Sequence, residues 1–131
     1  MLAGGPCMGT QVTRQGRVIA SFALPPCSGQ PVAEVGQPYT RVIENVPANP
    51  LSVSIDFYNP YDPWSGPIGY LGNPPTWTYN SGSQQVTVTG TVMSRVQQRG
   101  EGAADILITL VLPFPWAFSW DYVPQAVCFK N

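Results

Sequence analysis

Fifteen prolines and thirteen glycines interrupt this 131-residue chain every few positions. Proline inside a helix removes a hydrogen bond and clashes with the preceding turn, and glycine there loses more backbone entropy than other residues. No window of a dozen residues escapes these breakers and also keeps helical periodicity. The runs between them are short and rich in Val, Ile, Thr, Phe and Tyr, which suit a pleated, half-buried surface. The pattern predicts an all-β chain: a small antiparallel β-sandwich or barrel, jelly-roll-like or immunoglobulin-like, forming one domain over residues 1–131. A long Pro/Gly-rich loop and extended terminal arms, residues 1–9 at the start, complete the expectation.

Alternation along the runs places the strands. A first pair is expected around Gly16, with residues 11–15 leading in and 17–24 following. Val18, Ala20, Phe22 and Leu24 would share one face of it, and Pro25 and Pro26 end it. Residues 27–38 read as a loop and 39–46 as a strand closed by Pro47 and Pro50. In 51–58, Val53, Ile55 and Phe57 alternate with Ser52, Ser54 and Asp56, as in a strand with one wet side. Residues 59–75 hold five prolines and three glycines and read as one long loop, a length often functional. A short strand at 76–80 and a turn at Asn80-Ser81-Gly82 follow.

In 84–96, Val86, Val88 and Val92 oppose Thr87, Thr89 and Thr91. Gly90 falls on the apolar side, which implies a bulge or another backbone passing close. Residues 104–112 are apolar on both faces, as in a central strand. The two runs straddle a turn at Arg99-Gly100-Glu101-Gly102 and are expected to pair as a long hairpin. Closing strands are expected at 116–122 and 126–129.

Charge and chemistry narrow the function. Charged residues make up 10% of the chain, against about 25% in an average domain. Charges are depleted from interface cores, so the deficit points to a surface covered by partners. Net charge is −1 and the six basic residues form no cluster, which argues against nucleic acid. There is no His, which removes the commonest general base and zinc ligand, and the one Lys is Lys130. The carboxylates Asp56, Asp62, Glu101, Asp105 and Asp121 sit where turns or wet strand faces explain them. No enzymatic activity, cofactor or metal is expected, and Asx turns account for Asn59 and Asp62 as well as calcium would.

Cys7, Cys27 and Cys128 show no CxxC spacing. They allow one internal bridge in three ways, and the favoured expectation is three buried, reduced thiols. The N-terminus has no basic region followed by an apolar stretch, so no signal peptide is expected. No run of about 18 apolar residues occurs, so no membrane span is expected either.

The aromatic residues are the candidate site. Tyr58, Tyr61, Trp64 and Tyr70 lie in or beside the long loop, with Trp77 and Tyr79 after it. Prolines stiffen that loop, which lowers the entropy cost of ordering it on a partner. Phe114, Trp116, Phe118 and Trp120 alternate with Pro115, Ala117 and Ser119. On one strand the four rings would share a face, first as part of the core, otherwise as an interface or a sugar platform. The residues expected to contact a partner are Tyr58, Tyr61, Trp64, Tyr70, Trp77, Trp116 and Trp120. The functional expectation is a non-enzymatic accessory part of a large assembly: a virion capsid cement or decoration protein, or a tail accessory protein. It would bridge neighbouring subunits such as capsid protein and form a trimer or dimer in the virion. The alternative is a carbohydrate-binding module stacking sugars on Tyr61, Trp64 and Trp77.

Overall fold

A computed structural model describes residues 7–8, 12–14, 16–19, 23–97 and 100–131, with the backbone alone described before residue 23. The chain is almost entirely β, as the breaker pattern predicts. Four short strands come first: β1 (Cys7–Met8), β2 (Val12–Arg14), β3 (Gly16–Ile19) and β4 (Ala23–Leu24). Then follow β5 (Val32–Glu34), β6 (Pro38–Ile43), β7 (Ser52–Tyr58), β8 (Gly69–Asn80), β9 (Gln85–Ser94), β10 (Glu101–Val111) and β11 (Phe118–Lys130). The last seven form one sheet in the order β5-β11-β10-β7-β8-β9-β6, which curls into a nearly closed barrel. Every pairing in it is antiparallel except β5 on β11, which is parallel.

Alternation explains which face is buried. Val53, Ile55 and Phe57 of β7 point inward and are buried, as predicted, opposite Leu110, Ile108 and Ile106 of β10. Val86, Val88 and Val92 of β9 are fully buried as well. Phe57 is the centre of the core, in contact with the rings of Tyr39 (5.9 Å) and Phe129 (5.5 Å). Gly90 lies where the expectation placed a close approach. A Cβ there would stand 2.5 Å from the Gly72 carbonyl oxygen, beside the β8 bulge between Gly72 and Thr76.

Several expectations are corrected. The runs 84–96 and 104–112 do not form a hairpin: β9 pairs with β8 and β6, and β10 with β7 and β11. Each run has both its ladder edges covered by other strands, and Glu101 and Gly102 of the expected turn belong to β10, while Arg99 lies outside the described residues. Residues 69–80 form one strand, so the loop is shortened to 59–68 and carries a single 3-10 turn at Pro63–Ser65. Residues 27–38 contain β5. The two closing strands are one, β11, and the chain's C-terminal residues are sheet rather than arm. A bulge makes this possible, since residues 124–126 stand opposite Asp105 alone.

The expected first pair is present in part. β2 and β3 pair with each other, Val12 with Ile19 and Arg14 with Gly16, in a two-stranded sheet of their own. The faces of Val18, Ala20 and Phe22 lie outside what is described, as does most of the expected N-terminal arm. Of that arm, Cys7 and Met8 pair with Leu24 and Ala23.

Closure of the barrel is uneven. At one end β5 sits between β11 and β6, and Val92 donates to the Gln37 carbonyl and accepts from Gly36. Cys27 and Cys128 are joined there by a disulfide, which overturns the expectation of reduced thiols. Cys128 lies within β11 and Cys27 shortly before β5, so the bond ties the approach to β5 to the strand with which β5 pairs. At the other end β5 is absent, and a cleft of about 120 Å³ lies between the close of β6 and the start of β11.

Candidate docking surface

The turn between β10 and β11 presents Phe114, the most exposed large apolar side chain of the described residues. Trp116 donates its backbone N–H to Pro113, and Leu112 donates to Ala117, which adopts a left-handed φ of 67°. This tight crossing throws Phe114 outward, 95% exposed, with Trp116 at 48%. Phe118 (58%) and Trp120 (64%) follow on the outer face of β11. The expectation that these rings form a core face is therefore corrected: the inward positions of β10 and β7 already fill the barrel, and the rings lie outside it. Only Phe118 and Trp120 are strand residues; the other two belong to the turn.

Register extends the surface. Phe118 lies opposite Val111, which lies opposite Ser52, and Trp120 continues to Thr109 and Ser54. Leu51, 65% exposed, donates its N–H to the Val111 carbonyl and borders the rings. Leu51 escaped the sequence reading because it shares the inward alternation of Val53, Ile55 and Phe57, and Val111 because it lies in a run apolar on both faces. Farther along β11, Tyr122 continues the Phe118, Trp120 alternation and meets Tyr58 edge to face at 5.8 Å. That ring was legible as the next member of the series.

The remaining candidates separate. Tyr70 lies on the same outer face, opposite Asp56, with the Arg95 guanidinium 4.2 Å above its ring. Burial pushes the Asp56 carboxyl above its usual range, and Arg95 partly opposes this. Burial also raises Tyr58, helped by the Asp56 charge, and raises Tyr122, helped by its hydrogen bond to Asp105. Tyr61 (47%) and Trp64 (82%) sit on the 59–68 loop, where Asn59 accepts the Tyr61 N–H in an Asx turn and Ser65 donates to Asp62. That loop follows Tyr58, whereas the Trp116 turn abuts Ser52, so β7 separates the two groups by six residues, about 20 Å. Trp77 joins neither. It faces inward, packs on the core, and donates Nε1–H to Asn49.

Glu101 lies within 4.8 Å of both bridged sulfurs, but bonded sulfurs offer a metal no thiolate. Among the described residues no helix is long and apolar enough to cross a membrane. Comparison with protein-family models, with curated proteins and with solved structures found no match.

Proposed function

We propose that this protein is a non-enzymatic accessory component of a large assembly, joining neighbouring protein subunits through its exposed rings. A virion cement, decoration or tail accessory protein is the form that best fits its size, sparse charge and β architecture. The carrying observation is that Phe114, Trp116, Phe118 and Trp120, four large rings within seven residues of chain, are exposed, as are Leu51 and Val111. Aromatic residues bury roughly 150–250 Å² each and dominate interface energetics. At ~25 cal/mol per Å² such a set supplies ample driving force once covered. Bridging needs two contact surfaces, and the Tyr61–Trp64 loop at the other end of β7 provides the second.

The test is fractionation of particles from the source of the sequence. The wild-type chain is expected to co-sediment with a large particle, and a Phe114→Ser, Trp116→Ser, Trp120→Ser variant to remain free. Free wild-type protein in every fraction overturns the reading. Saturable quenching of tryptophan fluorescence by oligosaccharides would instead favour the sugar-binding alternative.

A further inference from the structure

We propose that the protein pairs with a second copy of itself: the β2–β3 hairpin of one chain adds to the free edge of β11 in the other. This contact uses the backbone edge of β11 rather than the rings of the aromatic docking proposed above, although Phe118 and Trp120 belong to the same stretch of strand. Two features are complementary. The first is an unpaired sheet edge. β5 covers β11 only from Cys128 to Lys130, so among the described residues no strand pairs with the outer edge of β11 from Phe118 to Ala126. An open strand edge is a template for another strand, and natural proteins cover or pair such edges. The second is a hairpin without a sheet. β2 and β3 form a two-stranded sheet of their own, and two strands alone are at best marginally stable in water. Each therefore lacks what the other has.

Charge points the same way. The cleft beside the free edge is rimmed by Glu44 and Asp121, both exposed, over an apolar floor of Ile108 and Leu110. Arg14 ends β2 and Arg17 is the second residue of β3, so the hairpin carries two cations within four residues. A second copy is the occupant because it brings the hairpin, the cations and the strand together. Mutual donation closes a two-fold dimer, and one-way donation makes a chain of copies.

The experiment is light scattering and sedimentation of the full chain over a wide concentration range. Wild type is expected to associate reversibly. Arg14→Glu with Arg17→Glu is expected to weaken association about tenfold, as is Glu44→Arg with Asp121→Arg. Combining all four reversals in one chain restores it, which a folding defect would not do. Phe114→Ser with Trp116→Ser leaves it unchanged. A wild-type monomer at every concentration overturns the proposal. So does association that ignores the charge reversals, or that is lost in the ring variant instead.

Discussion

The Tyr122 hydroxyl donates to the Asp105 carboxylate at 2.7 Å, and the other oxygen of that carboxylate accepts the Gln125 backbone N–H at 2.7 Å. Asp105 is 4% exposed, so the pair of bonds holds the three-residue bulge of β11 against β10 from within. Asp105→Ala strands a part-buried N–H and hydroxyl and is expected to cost about 1–3 kcal/mol, read from the urea midpoint. Tyr122→Phe removes one bond alone and is expected to cost about 1 kcal/mol less than that.

Alkaline pH acts on the same face. Tyr122 and Tyr58 keep their protons above the ordinary tyrosine value of 10.0. Above that pH the unfolded chain binds fewer protons than the folded one, so stability falls as pH rises. Denaturation at a series of pH values above 9 is expected to show this loss, with a shallower slope in Tyr122→Phe.

Asp56 behaves opposite to a salt-bridged carboxylate. Its pKa lies above 3.8 because burial outweighs the attraction of Arg95. The folded state therefore binds its proton more tightly, and stability from this group declines as pH rises from 3.8 through the raised value. Asp56→Asn is expected to be more stable than wild type at pH 7 and nearly equal to it at pH 3, by thermal melting.

Gly90→Ala places a methyl group 2.5 Å from the Gly72 carbonyl oxygen and 2.8 Å from Leu71 Cγ. Backbone on one side and core on the other leave little room to give, so about 1–3 kcal/mol is expected to be lost. Gly82→Ala is the control: its nearest neighbour would be the Asn80 side-chain oxygen, at 3.3 Å, and a small effect is expected in the same melt.

Cys27 and Cys128 are 101 residues apart in sequence, so their bond restricts most of the unfolded chain. Cys27→Ser with Cys128→Ser is expected to lower stability by about 2–5 kcal/mol. Equal denaturation curves for wild type with and without reductant would show that the bond carries no such stabilisation.

What could be read from sequence was local. Val53, Ile55 and Phe57, or Val86, Val88 and Val92, declare their buried face because side chains alternate within a single strand. Gly90 announced a close backbone for the same reason, as the one residue without a side chain on an apolar face. Pairing was not legible. Nothing in 84–96 distinguishes β8 and β6 from β10 as neighbours, since register and partner choice depend on long-range closure. Proline misled at 67–75: Pro74 and Pro75 look like loop, yet they occupy the bulge where β8 leaves its ladder with β9. The alternation of Phe114, Trp116, Phe118 and Trp120 was visible, but whether a ring faces in or out depends on whether the barrel is already full.

The parallel seat of β5 on Cys128–Lys130 orders events during synthesis. Val32–Glu34 is made early and waits for a partner almost a hundred residues downstream. Until Lys130 emerges, β5 has no slot, its Cys27 thiol has no mate, and the barrel stays unzipped along that side. Long-range pairing of this kind slows folding and prolongs exposure of unpaired strands. A nascent chain of this protein thus stays open along that side until Cys128–Lys130 have emerged, and those residues act as the latch.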